Sequence, residues 1–326
     1  MPVLPVPKYQ PPFPFTSGHL QTLYPTLCRR TPSTEPTRER IETPDGDFID
    51  VDWHYSRIDL CKGLAVVSHG LEGHSRKKYP LGMARCLSSN GWDVVCLNFR
   101  CCSGEPNRLP RFYHSGVTDD LHLVLSHVLA RGYERAALVG FSMGGNQTLK
   151  YLGEDPDLVP AQVKGAVVFS VPCRLADAVV EMDKISNRPY MHYFMKGLRN
   201  KIREKAARFP DLIDTDGLAE MITFKPFDNK YTAPLHGFED AADYYRRCSS
   251  AQFIDSIRVP TLLVQAQDDP FLSASCYPVA EAEASERLFL EITQFGGHVG
   301  FMGGWQERDY WSEKRALTFI DEMSKN

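Results

Sequence analysis

The chain has 326 residues, is 43% hydrophobic and 24% charged, and sets 37 Lys+Arg against 41 Asp+Glu for a formal charge of −4. Those proportions belong to a globular protein and exclude a disordered, collagen-like or coiled-coil chain, while the lack of basic excess argues against a general nucleic-acid binder. Nine cysteines contain no C-x-x-C pair, so the expectation is reduced, mostly buried thiols rather than a zinc ribbon or a thioredoxin-like motif.

Residues 1–36 carry nine prolines, which deny helix hydrogen bonds. The expectation is an extended Pro-rich arm on the body, anchored by Phe13, Phe15, Leu20, Leu23 and Tyr24. The first residues lack the basic and apolar regions of a secretory signal. No run approaches the roughly 18 apolar residues of a transmembrane helix. The reading is a soluble cytoplasmic protein without stable membrane insertion.

Beyond the arm, alternating runs around Ile41 and Phe48–Trp53 flank Pro44-Asp45-Gly46 and predict a β-hairpin. Six short apolar runs then follow, at 64–67, 94–97, 136–139, 166–169, 261–264 and 288–292. Between them, helical spacing appears near 79–90, 117–131 and 143–152, and again over 305–323. This alternation predicts an α/β fold with a mostly parallel central sheet and helices on both faces. From about 172 to 256 the rhythm breaks into helical patterns alone, read as an inserted helical cap within one domain spanning 37–326.

Gly140-Phe141-Ser142-Met143-Gly144 is a G-x-S-x-G sequence set between an apolar run and a helical stretch. That is the strand–turn–helix context of a nucleophile elbow, in which glycines make room for a strained turn that lifts the serine hydroxyl. A serine needs a base to take its proton. In the chain order Ser…Asp/Glu…His, His298 in Gly296-Gly297-His298-Val299-Gly300 fits, while His236 precedes every late acid and fits badly. The acid closes the 261–264 run. Asp269 is favoured because Pro270 fixes the following loop, with Asp268 second and Asp177 a distant third. The backbone N–H groups of Leu71, in Ser68-His69-Gly70-Leu71-Glu72-Gly73, and of Met143 are the candidate oxyanion donors. His69 reads as a side chain that braces its loop.

With these residues in view, the chain resembles the YheT-like esterases, family 4 of the α/β-hydrolase superfamily. The likeness rests on Ser17–Thr22, His69–Gly73, Asn98–Arg108, Tyr113–Gly116, Gly140–Gly145, His236–Phe238, Asp243–Tyr245, Asp268–Phe271 and Gly296–Phe301. It implies an α/β-hydrolase fold and a triad of Ser142, Asp269 and His298. It further implies ester hydrolysis without cofactor or metal, on short- to medium-chain acyl or lipid esters, acylglycerols included. A thioesterase or acyltransferase on the same triad, or a non-catalytic binder on this scaffold, are the alternatives. Cys101 departs from the family's glycine and would be strained if its φ is positive.

Three further groups carry expectations. Arg100, Glu105, Arg108, Arg111, Tyr113, His114 and Asp119 read as a loop-bracing polar network rather than a substrate clamp. Met182, Tyr190, Met191, Tyr193, Phe194 and Met195 read equally as an acyl pocket or as the cap's own core. Lys196, Arg199, Lys201, Arg203, Lys205 and Arg208 read as a solvated helix face, with peripheral contact to anionic lipid as the other reading.

Overall fold

A computed structural model describes residues 3–5, 7–30, 35–59, 61–305 and 307–324. Eight strands form one sheet: β1 (Thr37–Glu42), β2 (Phe48–His54), β3 (Gly63–Ser68), β4 (Trp92–Leu97), β5 (Ala136–Phe141), β6 (Val163–Phe169), β7 (Thr261–Ala266) and β8 (Leu288–Thr293). Their order across the sheet is β1-β2-β4-β3-β5-β6-β7-β8. The expected hairpin is β1–β2, turning at Gly46 with φ 82°. β2 runs antiparallel to β4, and the remaining pairs are parallel.

The parallel strands are apolar on both faces because both faces are covered. Val66, Leu138, Val168 and Leu263 alternate onto one side. There they meet α3 (Thr118–Leu129) and α4 (Met143–Glu154), which bury Val124, Leu125, Leu149 and Leu152. Val67, Val139, Val167 and Val264 point to the other side. They pack on Met83 and Leu87 of α2 (Lys78–Ser89) and on Ala316, Phe319 and Ile320 of the C-terminal helix, Trp311–Met323. That last helix starts later than its spacing predicted. Residues 301–304 and 307–310 have no helical structure among those described, and Glu313 caps the first turn through the Tyr310 N–H.

The arm corrects one expectation. Residues 18–28 are not extended but form α1 (Gly18–Cys28), with Pro25 inside it. The helix is anchored by its small and polar face, where Gly18, Gln21 and Pro25 are buried, while Leu20, Leu23 and, before it, Phe13 stay exposed. Phe15 does anchor, packing with Met302 and Tyr310, and Tyr24 joins at the edge. Residues 3 and 4 lie along β8, the Leu4 N–H donating to the Leu290 carbonyl at 2.8 Å. Residues 1, 2, 6 and 31–34 of the expected arm lie outside the described residues.

Between β6 and β7 the chain is helical: α5 (Leu175–Met182), α6 (Arg188–Arg208), α7 (Phe224–Phe227), α8 (Ala233–Leu235) and α9 (Ala241–Cys248). A π-turn over Asp228–Thr232 joins α7 to α8. After β7 come α10 (Val279–Ala284), β8 and the last helix, α11. No helix among the described residues is long and apolar enough to cross a membrane.

Candidate active site

Ser142 sits between the end of β5 and the start of α4 with φ 53° and ψ −117°, a backbone region costly for any residue but glycine. The neighbouring glycines explain how the turn closes. A Cβ on Gly140 would lie 2.6 Å from the Gly144 carbonyl oxygen, and one on Gly144 would lie 2.5 Å from the carbonyl oxygens of Ser68 and His69. The sheet holds the turn through the Ser142 N–H, which donates to the Phe169 carbonyl at 2.8 Å.

His298 Nε2 lies 2.8 Å from Ser142 Oγ, and its Nδ1 lies 3.0 and 3.1 Å from the two carboxylate oxygens of Asp269. A carboxylate on Nδ1 fixes that nitrogen as the N–H, leaving Nε2 to accept a proton. The Asp269 side chain is fully buried and also accepts the Phe271 N–H at 2.9 Å. The Phe271 ring lies against the imidazole at a centroid distance of 4.2 Å.

The other residues weighed as partners lie elsewhere. Asp268 accepts the Gly297 N–H at 2.8 Å and so braces the histidine loop without touching the ring; burial raises its pKa. Asp177 bonds Ser275. His236 contacts the carbonyls of Thr232 and Phe112. His69 is buried, with Nδ1 2.7 Å from the Gly70 carbonyl and Nε2 accepting from the Phe99 N–H. Burial pushes its pKa down to about 3, so it stays neutral and braces its loop.

That loop packs on Ser142: a Cβ on Gly70 would lie 3.1 Å from Ser142 Cβ. Leu71 and Met143 line a cavity of about 130 Å³ together with Ser142 and His298. The Met143 N–H heads α4, where helix donors have no intrahelical partner. Among the described residues no three His, Cys, Asp or Glu side chains gather into a metal-holding group.

Several supports were not read from the sequence. The His298 N–H donates to Thr22 Oγ1 of α1 at 2.8 Å. A Cβ on Gly297, whose φ is 56°, would lie 2.3 Å from the Gly18 carbonyl, and one on Gly300 would lie 2.2 Å from that of Gln21. Thus α1 lies against the backbone of the histidine loop. The Ser17–Thr22 motif was the available signal, but no spacing rule ties it to residues 280 positions away. Glu72, beside Leu71 and at φ 52°, is gripped by Lys201 Nζ of α6 at 2.8 and 2.9 Å and by the Tyr113 hydroxyl at 2.6 Å.

That contact overturns the solvated reading of the basic helix in part. Lys201 is largely buried against Glu72, Lys205 is buried and donates to the carbonyls of Asn107 and Leu109, and Arg208 donates to that of Asn107 at 2.7 Å. Lys196 and Arg203 are exposed. The 100–119 stretch is largely the bracing network expected: Arg100 forks onto Asp120 at 2.8 and 2.9 Å and reaches Asp45 at 2.9 Å. The aromatic and methionine cluster divides. Met182 and Phe194 line the cavity, Tyr190, Met191 and Met195 belong to the core, and Tyr193 is exposed. Cys101 does adopt a positive φ, 63°.

Residues 66–208 match the α/β-hydrolase fold family. The chain is 37% identical over 294 residues to "Putative esterase YheT" of Escherichia coli, covering 89% of this chain and 86% of that one. It is 27% identical to phospholipase ABHD3 of Homo sapiens, covering 94% and 76%, and 28% identical to a monoacylglycerol lipase of Saccharomyces cerevisiae, covering 78% and 58%. A Pyrococcus furiosus esterase superposes with a TM-score of 0.55 at 18% identity, covering 89% and 93%, a likeness of fold.

Proposed function

The chain belongs to the YheT-like family of the α/β-hydrolase superfamily, among esterase- and lipase-like enzymes, and from that premise we propose that it hydrolyses carboxylic esters through Ser142, His298 and Asp269. The observation that carries the reading is the unbroken contact line from Ser142 Oγ through both nitrogens of His298 to Asp269.

Ser142 Oγ attacks the acyl carbon while its proton passes to His298 Nε2. Asp269 holds the imidazole in position and stabilises its cation. The N–H groups of Leu71 and Met143 donate to the tetrahedral oxyanion, an arrangement in which each donor is typically worth about 3–4 kcal/mol. Collapse breaks the ester C–O bond, and His298 returns the proton to the departing alkoxide. Water then attacks the acyl-serine, giving its proton to His298, and the acid leaves as Ser142 is restored. The helices from 172 to 256 act as a cap, Met182 and Phe194 walling the substrate. Small carboxylic and lipid esters, acylglycerols among them, are the substrate class that the relatives' names favour.

Ser142→Ala tests the assignment. It should abolish turnover of short p-nitrophenyl esters and labelling by a fluorophosphonate while the protein stays folded. Retained turnover would refute the nucleophile.

A further inference from the structure

The cavity is not apolar throughout. The lining holds Ser142, His298 and apolar side chains such as Met182 and Leu198, and also Asp228, Thr232, Tyr244, Tyr245 and His114. Tyr244 and Tyr245 belong to the Asp243–Tyr245 motif, which the hydrolytic reading leaves without a role, Asp228 and Thr232 to the π-turn, and His114 to the Tyr113–Gly116 motif.

Asp228 is the unusual member, with 8% of its surface exposed. Its Oδ1 accepts from Thr232 Oγ1 at 2.6 Å and its Oδ2 from the Tyr245 hydroxyl at 2.6 Å. Both donors are neutral, and each carboxylate oxygen keeps a further acceptor site. Among the described residues no Lys or Arg pairs with it, and none lines the cavity. The nearby His114 is held neutral by burial, its pKa pushed well down, and His236 is lowered by the same cause. Burial lifts the Asp228 carboxyl to about 6, while the two hydroxyl groups that donate to it favour its charged form. A buried carboxylate without a cation is costly. A neutral amide would serve the same two hydroxyls without that cost.

We propose that Asp228 forms a subsite for a positively charged group of the substrate, a protonated amine, held between its carboxylate and the aromatic walls of the cavity. The proposal rests on the ester-hydrolase reading and narrows its substrate class. The electrostatics run one way: an ammonium entering the cavity gains the carboxylate's attraction and a cation–π contact with Tyr244 or Tyr245. An anionic group would meet repulsion with no cation to offset it.

The test uses two acetate esters of the same shape: 2-(dimethylamino)ethyl acetate, protonated at pH 7, and its neutral isostere 3-methylbutyl acetate. Selectivity is the ratio of their kcat/KM values, compared between wild type and Asp228→Asn so that intrinsic reactivity cancels. The expected result is a selectivity about tenfold lower in the variant, the loss of one charge contact. An unchanged selectivity, in a variant that still labels with fluorophosphonate, overturns the subsite and leaves ester hydrolysis standing. Should Asp228→Asn fail to fold, wild-type protection from labelling decides. The 3-methylbutylammonium ion must protect at lower concentration than 3-methylbutan-1-ol, and equal or weaker protection overturns the subsite. If wild type neither hydrolyses the two esters nor labels, the hydrolase reading itself fails and the subsite falls with it.

Discussion

At the scale of single residues, two adjacent aspartates at the end of β7 have different tasks. Asp269 touches the imidazole through both oxygens, whereas Asp268 accepts the Gly297 N–H of the histidine loop. Replacing each by asparagine separates orientation of the base from support of its loop. Asp269→Asn permits the wrong imidazole tautomer and should lower kcat by about 10⁴. Asp268→Asn retains an acceptor for the Gly297 N–H and should lower kcat far less. Steady-state kinetics on a p-nitrophenyl ester reads both, and equal losses would contradict the assignment of the acid. Backbone strain gathers at the same place. Ser142 at φ 53° and, just past His298, Val299 at φ 63° hold unfavourable conformations that the surrounding contacts impose. Val299 is tied by its N–H to Ser170 Oγ at 2.9 Å.

At the scale of elements, two helices outside the central α/β layers hold the Leu71 and His298 loops. α6 grips the Leu71 loop through Lys201 and Glu72. A Cβ on Gly197 of that helix would lie 2.0 Å from Glu72 Oε2, so a side chain there would push aside the carboxylate that Lys201 holds. α1 grips the histidine loop. Eleven residues with an internal proline make a poor isolated helix, so its tertiary contacts sustain it. Gln21, fully buried, accepts from the Tyr9 hydroxyl at 2.7 Å and from the Met302 N–H at 3.3 Å. If Thr22 positions His298, Thr22→Val removes the acceptor while keeping the shape. We expect kcat to fall about tenfold with KM little changed, through small misplacement of the base, and Thr22→Ser to restore it. A rise in KM alone, or no rescue by serine, would assign Thr22 a merely structural part.

At the scale of the whole molecule, buried neutral histidines set the acid side of stability. Burial holds His69 at about 3 and His54 and His74 at about 4, against 6.5 for a free imidazole. Between pH 6.5 and 4 the unfolded chain therefore binds protons that the folded protein refuses. Stability from these groups is complete above 6.5 and is lost as pH falls, each contributing at most about 1.4 kcal/mol per pH unit. Asp228 acts in the opposite sense. Its raised pKa contributes stability below its free value of 3.8 that is lost as pH rises through about 6; burial raises Asp183, Asp268, Glu291 and Glu313 in the same sense, nearer the carboxylate range, while His114 and His236 join the lowered imidazoles that titrate between pH 7 and 5. Thermal midpoints should thus drop steadily from pH 7 to pH 5. A flat or rising series would show that these imidazoles are not held neutral.

The sequence by itself determined the layered sheet, since runs apolar at every position form strands only where both faces are covered. It also determined the strand–turn–helix at Ser142 and the late-chain loops that carry Asp269 and His298, because strand-end turns and glycine spacing are local signals. Leu64–Val67, Ala136–Val139 and Gly140–Gly145 carried that information within a few residues each. The tertiary structure alone decided what lies against those loops: α1 under His298, Lys201 on Glu72, and Asp228 in the cavity wall. The reason is physical. Propensity and periodicity act over one or two turns of chain, whereas Thr22 meets His298 and Lys201 meets Glu72 across 276 and 129 positions, and Asp228 shares its cavity with residues from several separate elements. Whether Lys201 meets water or Glu72, and whether α1 persists despite Pro25, depends on packing that no local pattern encodes.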